Sequence, residues 1–281
     1  MIGRGPPTDS PREGGGGPFA ASRAGRYGRP VPLRAVVFDL FDTLVDVHMD
    51  RLPEVVFDGR RLRSTYGLLH EALRVRAEVE FETFVRTLAA LDKELGEKMH
   101  VARIEVPTRE RFARLVERLG VDAPGLADEL TEVHMGALFE RVDPIPGHAE
   151  LLAALHRDHR LAICSNFTHA PMAHRVIAAA GLAPHLDAVV ISEEVGVRKP
   201  RREIFEATLA RLGVAPAEAL HVGDNLEADV SGAAALGMPT AWVTRRVRDP
   251  HRALGSHRGP LPVLRLRELA ELPARLAELR V

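Results

Sequence analysis

The sequence predicts an α/β fold: a doubly wound parallel sheet as the core, with a helical insertion after its first strand. Three observations predict it. Short apolar runs rich in β-branched residues recur along the chain, among them Ala35-Val36-Val37-Phe38 and Leu161-Ala162-Ile163-Cys164, as buried parallel strands do. Beyond residue 144 such runs alternate with helical patterns, which argues for a parallel sheet covered by helices on both faces. Between residues 46 and 143 the apolar period lengthens from that of strands to that of helices.

Taken in order, residues 1–32 hold Gly14-Gly15-Gly16-Gly17, Pro6, Pro7, Pro11, Pro18 and scattered arginines, with no apolar stretch that could serve as a signal-peptide core. Such a composition cannot bury enough surface to offset ordering entropy, so a disordered tail is expected. The first strand follows and ends in Asp39. In the insertion, Asp58-Gly59 marks a hairpin turn, and Tyr66 and His70 share one helix face by their spacing. Phe81, Phe84, Val85 and Leu88 form an apolar helical stripe. Pro107 precedes a helix start at Thr108, carried on by Phe112, Leu115, Val116 and Leu119 and stopped at Gly120. Residues 126–139 give another helix.

After Pro144-Ile145-Pro146-Gly147 the predicted order is helix 149–155, strand 161–165, helix 172–180, strand 188–191, helix 202–212, strand 219–222, helix 229–236 and a final strand, 240–243. Residues 266–279 read as helical, split in two by Pro273. The division is therefore a core of residues 33–45 and 144–281 and a helical insertion of residues 46–143.

A chain of 281 residues can bury a sizeable core, and its net charge of −1 implies no bulk attraction to nucleic acid or anionic membrane. No run approaches the ~18 apolar residues of a membrane span. The single cysteine, Cys164, lies in an apolar strand, where a packed thiol and a reducing cytoplasm are expected. Oligomeric state stays open, because apolar helical faces can pack on the core or on another subunit.

Chemistry concentrates after the strands, where open α/β sheets place their ligands. Asp39 follows the first strand, Ser165 and Asn166 end the second, Lys199 lies in Gly196-Val197-Arg198-Lys199-Pro200, and Gly223-Asp224 opens an acidic loop reaching Asp229. If parallel pairing gathers these ends, the carboxylates crowd one pocket. Two carboxylates about 4 Å apart repel by roughly 4 kcal/mol at an effective dielectric near 20. Lys199 offsets part of that charge, and a divalent ion can offset the rest. A hard, all-oxygen site with few carboxylates favours Mg²⁺. Ser165 and Lys199 are suitable donors to the oxygens of a transferring phosphoryl group.

An acid, a hydroxyl, an ammonium and a second acidic loop in that order resemble the four motifs of the haloacid dehalogenase superfamily of hydrolases, over roughly residues 33–244. The resemblance implies a Rossmann-like core, with the insertion as a cap that closes over the site and excludes water. It implies a phosphatase acting on a small phosphorylated substrate through an aspartyl-phosphate on Asp39. Ser165 and Lys199 would then face the substrate, and Asn166 would either orient the Asp39 loop or touch the substrate as well. Asp39, the carbonyl of Phe41, and Asp224 with Asp229 would surround the Mg²⁺, Asp229 steadying Lys199 or a metal-bound water.

The sequence departs from the family at Phe41, where phosphatases carry an acid–base aspartate. Such help is worth about 10² to 10⁴ in rate. Asp42, one residue later, is the candidate to replace it if the loop turns it inward, although a one-residue shift along an extended segment reverses side-chain direction. An aromatic here also resembles the metal-independent 2-haloacid dehalogenases, whereas Gly223-Asp224 resembles the metal-dependent members. Phosphatase is the leading reading, with a dehalogenase and a non-catalytic binding protein as alternatives. Arg103 and His48 are candidates to meet substrate, Asn225 to lend an amide to the metal's water shell or to its own turn, and Arg198 is a neighbour of Lys199.

Overall fold

A computed structural model describes residues 32–279, so all but the last residue of the expected tail lies outside the described residues. The first strand, β1 (Ala35–Phe38), is wholly buried. Alternation along it divides the core into two layers. Val36 and Phe38 join Ile163, Val222, Met172 and Val176 on one face, while Ala35 and Val37 join Ala162, Cys164, Phe205 and Leu209 on the other. Each large apolar side chain so buried contributes about 1.5–3 kcal/mol.

The chain leaves the core through β2 (Val45–Val47), then forms the hairpin β3 (Glu54–Phe57) and β4 (Arg60–Arg63) across Asp58-Gly59. The helices α1 (Tyr66–Arg74), α2 (Phe81–His100), α3 (Thr108–Arg118) and α4 (Leu126–Phe139) follow. They share an apolar cluster of their own, including Leu73, Phe84, Leu88, Phe112, Leu115 and Leu130. His70 belongs to this packing: its Nε2 meets the Val79 carbonyl at 2.7 Å and its ring lies against Phe81 and Phe84. The return strand β5 (Val142–Pro144) pairs antiparallel with β2, closing the insertion with a ribbon that local sequence does not announce.

The core then runs α5 (His148–Leu155), β6 (Arg160–Ser165), α6 (Ala170–Ala179), β7 (Ala188–Ile191), α7 (Ser192–Val195), α8 (Arg202–Leu212) and β8 (Ala219–Gly223). After a π-helical stretch, Leu226–Ser231, come α9 (Gly232–Ala235), β9 (Thr240–Val243), α10 (Pro250–Ser256), β10 (Leu264–Leu266) and α11 (Leu272–Leu279). The six-stranded sheet has the order β10-β9-β8-β1-β6-β7, parallel throughout.

Three expectations are corrected. The last strand is β10, not 240–243: Leu264 and Leu266 are buried on either side of exposed Arg265, a pattern too short to stand out. The segment expected to be helical over 266–279 begins at the end of β10 and reaches α11 through a 3₁₀ turn, Leu269–Glu271, and Pro273 splits no helix because it lies in the first turn of α11, where its missing N–H has no intrahelical role. The helix expected over 229–236 starts earlier, at Leu226, where the Asn225 side chain caps it by accepting the N–H groups of Glu227 (3.0 Å) and Ala228 (2.9 Å), and it starts as a π-helix, the Val230 N–H donating to the Asn225 carbonyl at 3.2 Å.

Candidate active site

From β1 the sheet proceeds through β6 and β7 on one side and through β8, β9 and β10 on the other. The crevice beyond the carboxyl ends of β1 and β8 is thus the topological switch point, where open α/β sheets bind ligands. Asp39 and Asp224 both lie there. Phe38 is level with Val222 and Ile163 in the neighbouring strands, and the Asp39 N–H donates to the Val222 carbonyl at 2.9 Å.

Lys199 is the centre of the cluster. It is 3% exposed, and its Nζ donates to Asp39 Oδ1 at 2.8 Å and to Asp229 Oδ1 at 2.6 Å. Burial alone would lower its pKa, but Asp229 and Asp39 outweigh burial and raise it. Asp229 is held on every side. Its Oδ1 also meets His221 Nε2 at 3.0 Å, and its Oδ2 accepts the Asn225 N–H at 3.0 Å. Burial works against its charge, but Lys199 and His221 prevail and keep its carboxyl below the usual range. Gly223 makes room for this arrangement: a Cβ there would stand 2.3 Å from Asp229 Cγ.

Oxygens of Asp39, Asp224 and Asp229 lie within 4.8 Å of one another. One lysine does not balance three carboxylates. Burial, followed by the charges of Asp39, Asp229 and Asp42, pushes the Asp224 carboxyl up to about 8. Burial likewise raises Asp39, against the pull of Lys199. The cluster therefore fits a hard divalent cation with oxygen ligands, which would relieve the charge that Lys199 leaves uncompensated.

This gives a testable pH dependence. A carboxyl raised in the folded state keeps a proton that the unfolded chain has lost, so stability falls as pH rises from about 4 to about 8. Metal-free protein should lose thermal stability over that range by more than its Asp224→Asn variant does, and Mg²⁺ should remove the difference. Scanning calorimetry in chelator and in Mg²⁺ reads this directly; equal pH slopes for the two proteins in chelator would refute it.

Residues 33–237 match the family model of the haloacid dehalogenase-like hydrolases. The chain belongs to that family. It is 36% identical over 140 residues to the pyrimidine 5'-nucleotidase YjjG of Escherichia coli, covering 50% of this chain and 60% of that protein. It is 38% identical over 170 residues to the phosphoserine phosphatase of Thermus thermophilus, covering 59% and 64%. The chain thus spans less than two thirds of either relative. Its fold is that of the 2-haloacid dehalogenase from Pseudomonas syringae, with a TM-score of 0.64 at 24% identity over 88% of this chain and 99% of that one.

In this dehalogenase-like hydrolase the remaining strand-end residues fall as follows. Ser165 is buried at the end of β6. Asn166 grips the backbone of Lys199, its Oδ1 accepting the Lys199 N–H at 2.7 Å and its Nδ2 donating to the Lys199 carbonyl at 3.1 Å. Phe41 sets its ring 4.6 Å from that of Phe167. Asp42 has a left-handed backbone, φ 60°. Its Oδ1 meets Arg246 Nε at 3.1 Å and the Val47 N–H at 3.3 Å.

The other candidates are engaged within the protein. Arg103 pairs with Glu227, His48 with Asp143 at 3.2 Å, and Arg198 with buried Glu105 at 2.5 Å. Sequence reasoning missed His221, Arg246, Glu105 and Trp242, whose indole N–H donates to the Asp224 carbonyl at 2.7 Å. Only His221 carried a signal. A polar ring within an apolar strand needs a buried partner, and that partner is Asp229.

Proposed function

We propose that this hydrolase removes phosphate from a small phosphomonoester, with Mg²⁺ beside Asp39, Asp224 and the Phe41 carbonyl. The observation that carries the reading is the charge of the site: three carboxylates around one buried lysine, with Asp224 left short of a cation. A bound Mg²⁺ would neutralise the carboxylates and polarise the phosphoryl oxygens. Phosphatase relatives support the phosphoryl group as the group transferred.

In the first step an Asp39 oxygen attacks phosphorus and the bond to the substrate oxygen breaks, that oxygen taking a proton from solvent. Lys199 and Ser165 face the phosphoryl oxygens as their negative charge shifts. Asp229, both of whose oxygens are engaged, holds Lys199 in place rather than contacting the ion. In the second step water attacks phosphorus, its proton goes to solvent because Asp42 is held by Arg246 and the Val47 N–H, and the bond between phosphorus and the Asp39 oxygen breaks. With no positioned acid in the first step, turnover should fall below that of relatives having one, by up to about 10² to 10⁴.

Residues 46–143 serve in this reading as the cap, and residues 33–45 and 144–281 as the catalytic core. The free, buried thiol of Cys164 accords with a cytoplasmic setting. Among the described residues no helix is long and apolar enough to cross a membrane.

The test is phosphate release from an aryl phosphomonoester. Release is expected in Mg²⁺, lost in chelator and restored by added Mg²⁺. Phe41 favours one second reading, a metal-independent dehalogenase. Halide release from a 2-haloacid in chelator, without phosphate release in Mg²⁺, would replace the first reading with that one.

A further inference from the structure

The linker between α2 and α3 reaches the loops of the site at several points. Arg103 pairs with Glu227 of the Asp224 loop. Ile104 bridges Val197, the Glu105 N–H donates to the Gly196 carbonyl at 3.0 Å, and the Arg198 N–H donates to the Arg103 carbonyl at 2.9 Å. Thr108 meets Thr168, beyond Ser165, through the Thr108 N–H and Thr168 carbonyl at 2.9 Å and through both hydroxyls at 2.8 Å. A short strand pairing thus joins the insertion to the segment that ends in Lys199.

Glu105 is the buried pin of this pairing. Its side chain is fully buried. Arg198 Nη1 donates to both of its oxygens, at 2.7 and 2.5 Å, and Oε1 accepts the Val106 N–H at 3.0 Å. Ser192 Oγ donates to Oε2 and accepts the Phe167 N–H at 2.8 Å. One carboxylate therefore ties the linker to the residue before Lys199 and, through Ser192, to the loop after Ser165.

We infer that Glu105 is a positioning residue, through which docking of the helical insertion sets the loop that carries Lys199. Asn166 fixes the Lys199 peptide from the core side, and Glu105 fixes Arg198 from the insertion side. The loop is complete only when both hold. The kinetic part of this inference rests on the phosphatase reading; its structural part does not.

Glu105→Gln or Arg198→Met alone strands a buried partner and should lower stability. The double variant Glu105→Gln/Arg198→Met removes both charges and should regain most of the lost Tm. In that double variant, hydrogen exchange over residues 196–201 should quicken by about tenfold or more, and kcat should drop about 10- to 100-fold with KM nearly unchanged. Wild-type exchange and kcat in the restored double variant would overturn the inference and leave Glu105 a purely structural residue. If wild type releases no phosphate, the phosphatase reading fails, and hydrogen exchange alone decides this one. Should the double variant not fold, Glu105→Asp keeps the charge, ends a methylene short of Arg198, and carries the same comparison.

Discussion

Asp39→Asn is expected to cut phosphate release by about 10⁴-fold or more while leaving the protein folded. The amide cannot supply the attacking oxygen, yet it keeps the shape of the carboxylate and can still accept the Lys199 hydrogen bond made at 2.8 Å in the wild type. Burial already raises the Asp39 carboxyl, and its charge helps to push up Asp224. Replacing it by a neutral group removes that like-charge repulsion, so the melting temperature should be unchanged or higher. Lost turnover with undiminished stability is the signature of a charge held for chemistry at the expense of the fold. Phosphate release and calorimetry on one preparation check both halves. Activity within tenfold of wild type would remove Asp39 as the nucleophile.

The elements legible in the sequence are those whose cause is local. The helices Thr108–Arg118 and Arg202–Leu212 announce themselves through apolar spacing, Pro107 before the first and Gly213 after the second. The strand ends bearing Asp39, Ser165 and Asp224 were legible as neighbours, because parallel pairing leaves their carboxyl ends at one edge. What sequence hid depends on partners distant in the chain. The ribbon of β2 and β5 exists only once the whole insertion has folded between them. Strand β10 has two apolar residues to recommend it, and the β9 edge supplies the rest. The helix start at Leu226 follows from a side-chain cap at Asn225, not from periodicity.

The same division runs through the site. Residue types at strand ends pointed to acid, hydroxyl and ammonium, but not to which oxygen meets which donor. Asp42 carries a charge that sequence places beside the nucleophile; that its partner is Arg246 follows from a contact between residues far apart in the chain. Arg198 looks like an incidental neighbour of Lys199 until Glu105 arrives from the insertion. Pairings of this kind are set by how units pack.

Lys199→Met should be the most damaging single substitution for stability. Met keeps much of the lysine's length and none of its charge, so Asp39 and Asp229 would lose the cation that joins them at 2.8 and 2.6 Å. Breaking a buried ion pair from one side costs about 3–5 kcal/mol, a large share of the roughly 5–15 kcal/mol that holds a typical domain together. The sign of the pH dependence distinguishes this cause from lost packing. Lys199 is raised in the folded protein, so its contribution is present below its unfolded value of 10.5 and is lost only as pH climbs through the higher folded one. Asp229 is lowered, so its contribution is present above its unfolded value of 3.8 and is lost as pH falls through the folded one. The deficit of the variant should therefore be full at neutral pH and shrink in acid, where the wild type too gives up the Asp229 interaction. Adding Asp229→Asn to Lys199→Met should recover part of the loss, because the stranded charge goes with it. Denaturant unfolding of the three proteins at neutral and acid pH measures both effects. A deficit of equal size at the two pH values would assign the damage to packing and take Lys199 out of the charge balance on which the phosphatase reading depends.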